Sequence, residues 1–222
     1  LPTVSTQRDF EPYVGPQIEG NCEDHAEAYR TFMETRRSVR EFSSEPVSES
    51  VIRSVVATAA SAPSGANKQP WVFVCVQDPS LKRAIREAAE AEERLFYSER
   101  ASGRWLEDLK PFETTAEKPF LETAPWLIVV FKASRGSQGE QHYYVTESVG
   151  IAAGFLLSAI HHAGLVALTH TPSPMDFLCE ILGRPSHERP FLLIPVGQPS
   201  EGCEVPRLQK KPLSEMMFID RG

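Results

Sequence analysis

Three short stretches carry residue types that could bind or transform a small ligand. In Arg36-Arg37-Ser38-Val39-Arg40, three guanidiniums and a hydroxyl fall within five residues. Arginine makes paired, charge-assisted hydrogen bonds to phosphate oxygens, so the cluster is a candidate phosphate cradle. Its ordinary alternative is a solvated helix end, where positive charge suits the carbonyl dipoles. Ala62-Pro63-Ser64-Gly65-Ala66-Asn67 is a turn of small residues that would let a flat ligand approach backbone N–H groups, although most such turns only join two elements. Thr169-His170-Thr171-Pro172 ends a buried run, where binding residues often emerge in layered sheets, and by itself it is a plain strand end. Metal chemistry is not expected: no H-E-x-x-H or Cys/His ligand spacing occurs, and the adjacent His161 and His162 project to different sides of a helix. Cys22, Cys75, Cys179 and Cys203 form no C-x-x-C pair and read as reduced thiols.

These candidates must be positioned by a chain of 222 residues, 41% hydrophobic and 24% charged, which suffices for one sizeable core and excludes disorder, collagen and a disulfide scaffold. A net charge of −7 repels polyanions and argues against a nucleic-acid partner. The longest apolar runs, such as Trp126 to Phe131, fall far short of the roughly 20 residues that span a bilayer. The chain as given therefore reads as soluble and cytoplasmic; its opening at Leu1 leaves room for a removed N-terminal membrane anchor if the source is an animal.

Residues 1 to 22 are rich in Pro and Gly and read as an N-terminal arm. Apolar spacing predicts helices over His25 to Arg37, from Pro46 to Ala60, over an exposed, charged stretch from Leu81 to about Arg104, and over Val145 to Ala163 with Gly164 as its cap. Trp71 to Val76 and Trp126 to Phe131 are continuous apolar runs, as expected of strands buried on both faces. Residues 106 to 123, with Pro111 and Pro119, read as a loop; Val166 to Thr169, Phe177 to Leu182 and Phe191 to Val196 follow as strand, short helix and strand. The domain would occupy residues 23 to 206 and a C-terminal arm residues 207 to 222. Helices alternating with short strands give an α+β layered fold. Arms of this length cannot offset an ordering cost of about 1 to 2 kcal/mol per residue alone, which points to docking across a homodimer.

The stretches RRSVREF at 36–42, APSGANKQPW at 62–71, EERLFY at 92–97, HYYVTESVGIAAG at 142–154 and LTHTPSP at 168–174, in this order and spacing, resemble the nitroreductase-like FMN flavoproteins. Glu93, Tyr97 and Lys118 narrow the resemblance to the branch that removes halide from halotyrosines, and it extends from about Pro12 to Met217. It implies a three-layer α+β fold with a central mixed sheet flanked by helices, a homodimer with swapped arms, and one FMN bound in each site between the subunits. Arg36, Arg37, Ser38, Val39 and Arg40 match the phosphate and ring-contact motif, Ser64 and Gly65 the turn beside the flavin, and Thr169, His170 and Thr171 the segment near its N5. Thr171 would hydrogen-bond N5 and favour one-electron steps. The resemblance puts Lys210 where the human-like pattern carries an arginine on the phosphate; a lysine keeps the charge and loses the fork.

The substrate end also follows from chemistry. A free amino acid presents an ammonium and a carboxylate, so a selective site needs an acid, a base and a neutral hydrogen-bonding group, which Glu93, Lys118 and Tyr97 supply. Glu93 and Tyr97 are four apart, on one helix face, and Lys118 lies in a proline-bounded segment that could close as part of a lid over about 90–120. Without the resemblance, a Glu in an AEAEER run is ordinarily solvated. The Ala66 N–H would stabilise the substrate's phenolate. The implied substrate is mono- or diiodotyrosine, or the bromo and chloro analogues. Electrons would come from a separate reductase or NAD(P)H, since no G-x-G-x-x-G fingerprint is present. The alternatives are an NAD(P)H-dependent nitro or quinone reductase of the same fold and a flavin-storage or sensor protein without turnover.

Overall fold

A computed structural model describes residues 10–220. The chain divides into two compact units, residues 1–35 and 36–222. The first contains α1 (Cys22–Glu34), whose N-cap Asn21 accepts a hydrogen bond from the Asp24 N–H at 2.8 Å. The helix thus starts before His25 and stops short of the arginines, which were expected at its end. They lie instead in an extended segment. The arm expected over 1–22 falls partly outside the described residues; Phe10–Asn21 has no helix or strand, and Phe10 and Tyr13 are exposed.

The second unit is layered about a four-stranded sheet. Its strands are β1 (Trp71–Val76), β2 (Trp126–Ala133), β3 (Val166–Ala167) and β4 (Glu188–Gly197), in the order β1-β2-β4-β3 with antiparallel neighbours. The parallel component of the expected mixed sheet is a single bridge, Ser38 to Ala167. Strand β2 is buried along nearly all its length, as its unbroken apolar run requires. Trp126, Ile128 and Val130 face a core shared with α2 (Glu49–Ala60) and α6 (Val145–His162). Leu127, Val129 and Phe131 face a second core shared with α3 (Pro79–Leu95), α5 (Phe120–Thr123) and α7 (Phe177–Ile181). The period of two in a strand feeds both cores from one run, each fully buried large side chain contributing about 1.5 to 3 kcal/mol.

Helix α6 ends as the sequence suggests: Gly164 takes φ +75°, its N–H reaches His161 O at 3.0 Å, and the Leu165 N–H reaches Ile160 O at 3.1 Å, completing a double-bonded glycine cap. Strand β1 lies at an edge of the sheet; Trp71 and Phe73 pack into the first core and Val72, Val74 and Val76 into the second, as a run covered on both faces requires, although Cys75 is exposed. Elsewhere expectation and structure part. The long helix expected to Arg104 breaks after Leu95 into a π turn (Phe96–Arg100) followed by α4 (Gly103–Leu109). Nor does α3 merely cover the surface, because Ile85 and Ala89 are fully buried in the second core. The expected loop 106–123 contains the end of α4, a 3-10 turn (Lys110–Phe112) and α5. It is held to α3 by buried Lys82, whose Nζ donates to the carbonyls of Glu122 and Ala124 at 2.8 Å each. The strand expected over 166–169 shortens to two residues, whereas that expected over 191–196 lengthens to Glu188–Gly197. Among the described residues no helix is long and apolar enough to cross a membrane.

Candidate active site

Two pieces of backbone meet at one edge of the sheet. The Val39 N–H donates to the Ala167 carbonyl at 3.2 Å, and beyond β3 the residues His170 and Leu193 exchange backbone hydrogen bonds at 2.9 and 3.0 Å. Arg40 and Thr169–Thr171 are thereby held on a shared cavity of about 630 Å³. Glu93 at the end of α3, Tyr97 in the π turn, Trp105 and Leu109 of α4, and Thr114, Thr115 and Lys118 complete much of its lining. The π turn is a natural place for a functional side chain, since its extra residue re-aims Tyr97 relative to a regular helix. Arg100 ties this segment to the stretch after β3: its guanidinium donates to the Glu92 carboxylate at 2.6 Å and to Ser173 O at 2.8 Å.

Within the cavity, acid and base are already matched. Lys118 is 4% exposed, its N–H donates to Glu90 Oε1 at 2.7 Å, and its Nζ lies 3.3 Å from Glu93 Oε2 while also donating to Thr115 O. Burial lowers the ammonium's pKa, and Glu93 pulls it partly back. The Tyr97 hydroxyl donates to Thr114 Oγ1 at 2.8 Å, with the ring centroid 5.7 Å from the Lys118 nitrogen. His170 is buried beside them, and burial, with Lys118 and Arg40 nearby, drives its pKa down to about 3. The half-buried Arg40 guanidinium lies 5.6 Å over the Phe112 ring, and burial lowers its pKa. No ion pair restrains Arg40 among the described residues.

Seven of the expected site residues therefore converge: Arg40, Glu93, Tyr97, Lys118, Thr169, His170 and Thr171. The others lie outside this cavity's lining. Ser38 and Val39 are stitched to β3, with the Val39 side chain in the core, and Arg37 donates to Pro206 O. Arg36 is half-buried and Lys210 is exposed. Ser64, Gly65 and Ala66 form a turn between α2 and β1; Ser64 Oγ accepts from the Gln69 N–H at 2.9 Å, and Ala66 is exposed with φ +46°. Sequence reasoning missed Glu90, which fixes the backbone of Lys118, as well as Thr114 and the ring of Phe112. Glu90 carried a weak signal, three residues before Glu93 on the same helical face.

Known proteins match this arrangement. The chain from residue 33 to residue 198 fits the model of the nitroreductase family, which sets the class. Iodotyrosine deiodinase of Haliscomenobacter hydrossis is 57% identical over 217 residues, covering 95% of this chain and 97% of that protein. The human iodotyrosine deiodinase 1 is 45% identical over 197 residues, covering 86% of this chain and 68% of its own length. A crystal structure of oxidized iodotyrosine deiodinase bound to FMN and 3-iodo-L-tyrosine superposes with a TM-score of 0.77 at 31% identity, over 87% of this chain and 98% of that one. The chain belongs to the nitroreductase family and, within it, to the iodotyrosine deiodinases.

Proposed function

We propose that the protein binds FMN and uses it to remove halide reductively from halotyrosines. The reading is carried by one observation: a largely enclosed carboxylate and a buried ammonium, Glu93 and Lys118, stand 3.3 Å apart in a cavity that also holds the Tyr97 phenol. A neutral aromatic substrate has no use for that pair, whereas an amino acid matches both charges. The residues present fit FMN on separate grounds. Arg40 is a half-buried cation without an ion-pair partner among the described residues and lines the same cavity as Thr171, and Arg36, Arg37 and Ser38 extend the donor set along the same segment. When bound, FMN supplies the two electrons that, with one proton, convert a carbon–halogen bond to carbon–hydrogen and free halide.

The chain's own groups recognise and orient. Glu93 takes the substrate's ammonium, Lys118 its carboxylate, and Tyr97 donates a hydrogen bond to the amino-acid end. The lid segment, anchored through Lys82, Glu90 and Arg100, keeps water from the buried charges and strengthens each contact. Thr171 offers a hydroxyl to the flavin ring. Ala66 and the turn 64–65 stand off this cavity, so they would serve a site completed by a second copy of the chain. An apolar, small-residue stripe on α6 supports such a homodimer. Gly150, Ile151, Gly154 and Phe155 are exposed, and a Cβ on either glycine would meet nothing within 4 Å.

The test is an absorption spectrum of the purified protein followed by a halide assay with diiodotyrosine and dithionite. A yellow protein releasing iodide is expected. A colourless protein, or a yellow one that bleaches with NAD(P)H and leaves diiodotyrosine intact, refutes the reading.

A further inference from the structure

We infer that His170 is a positioning residue for Glu93: its imidazole Nε2–H takes hold of the carboxylate when an amino-acid substrate draws Glu93 away from Lys118. The inference rests on the substrate reading above. Glu93 stands between two neighbours, with Oε2 at 3.3 Å from the Lys118 ammonium and Oε1 at 3.9 Å from His170 Nε2. Nε2 is fully enclosed and has no hydrogen-bond partner. Buried polar groups are rarely left unpaired, because the lost water contact is not replaced. An acceptor standing about 1 Å beyond a normal N–H···O distance of about 2.9 Å is the natural partner.

The rest of the surroundings favour that partner. The Phe120 ring meets the imidazole edge to face at 5.7 Å, and the His170 backbone is locked to Leu193, so the ring has little freedom to turn elsewhere. The charged groups around it are Glu93, Lys118 and Arg40. Buried, and with two cations close by, the imidazole enters neutral, as a donor rather than as a second counter-ion. Glu93 leans on Lys118. An arriving zwitterion needs both ends of that pair, its carboxylate at Lys118 and its ammonium at Glu93. A small rotation of Glu93 lengthens the Lys118 contact and shortens the His170 contact, so the carboxylate is held by a neutral donor and the lysine's N–H groups are freed for the substrate.

The test uses the FMN-loaded protein. His170→Leu removes the donor and His170→Gln keeps an N–H near the position of Nε2. Calorimetric titration with 3-iodotyrosine should show affinity lower by on the order of tenfold in H170L, about 1.4 kcal/mol, with KM raised by a similar factor and kcat less affected. H170Q should recover most of the loss. The loss for 2-iodophenol, which lacks the amino-acid end, should be several-fold smaller than that for iodotyrosine. In an E93Q background the His170 effect should largely vanish. Equal losses for both ligands, no rescue by glutamine, or an undiminished effect in E93Q overturns the inference. Failure of the parent protein to bind iodotyrosine is a distinct result, which refutes the substrate reading and this inference with it.

Discussion

Removing one member of the buried Glu93–Lys118 pair should cost more than removing both. Glu93→Gln keeps the shape and an acceptor oxygen but leaves the Lys118 ammonium, 4% exposed, without its partner charge, held by the neutral amide and Thr115 O. Stranding one partner of a buried pair typically costs about 3 to 5 kcal/mol. The retained Thr115 contact and the adjoining cavity soften this, so about 2 to 3 kcal/mol is expected. For a chain of this size each kcal/mol lowers Tm by about 2 to 4 °C, which gives a drop of about 4 to 12 °C. Lys118→Met strands Glu93 instead and should cost a similar amount. The double variant E93Q/K118M carries no unpaired buried charge and should melt within about 1 kcal/mol of the parent. The coupling energy between the sites is then about 2 kcal/mol or more. Thermal melts of FMN-loaded protein measure the cycle, and titration with 3-iodotyrosine shows whether all three variants lose affinity, the double included. Strictly additive melting shifts would mean that the two groups do not share a charge pair in solution, and the electrostatic account of the site would fail.

Thr171→Ala should lower iodide release by more than it lowers FMN content; equal losses, or full activity with flavin retained, would remove Thr171 from the chemistry. His170 should make the fold acid-sensitive. Its pKa falls from an ordinary 6.5 to about 3, so between those values the unfolded chain binds the extra proton and stability rises with pH. That contribution is full above pH 6.5, declines by about 1.4 kcal/mol per pH unit below it, and is exhausted near pH 3. H170Q should show a shallower loss of stability on acidification in chemical denaturation, and an unchanged slope would place the sensitivity elsewhere. Finally, Phe155→Glu on the exposed stripe of α6 should shift a dimer to monomer in sedimentation and reduce FMN content, whereas an unaltered dimer would locate the interface on another face.

How much was legible beforehand depended on whether the signal was local. The apolar run of β1 and the stripe and glycine cap of α6 are set by neighbours within a few residues, and sequence located them closely. The edge position of β1 was hidden, because an apolar run reads the same in an inner strand and in an edge strand covered on both faces. The break after Leu95 was equally hidden. No proline or glycine marks it, and what shapes it is a contact from afar, Arg100 to the Ser173 carbonyl. The site divided along the same line. Glu93, Tyr97 and Lys118 were named from family resemblance and from the needs of a zwitterion. The residues that hold them, Glu90, Thr114 and Lys82, act through partners 28, 17 and about 40 positions away, which no short motif reports.

The matched pair also makes an unusual prediction about ligands that carry half of an amino acid. A zwitterion replaces one Glu93–Lys118 contact with two new ones and strands nothing. A 2-iodophenol leaves the original pair closed at 3.3 Å and gains only ring contacts. An iodinated phenylpropanoate would draw Lys118 to its carboxylate and leave Glu93 without its cation. An iodotyramine would draw Glu93 and leave Lys118 uncompensated in a site that already disfavours its charge. Each half-ligand therefore adds one charged contact and breaks another in a place sheltered from water, so its extra group contributes little or nothing to binding. Affinity should fall steeply from iodotyrosine to all three analogues, and neither half-ligand should gain more than a few-fold over 2-iodophenol. If charge recognition were instead the sum of two independent contacts, each half-ligand would recover about half of the binding free energy that separates iodophenol from iodotyrosine. Competitive titration of the four compounds against the FMN-loaded protein distinguishes the two patterns, and a stepwise series would show that Glu93 and Lys118 act separately.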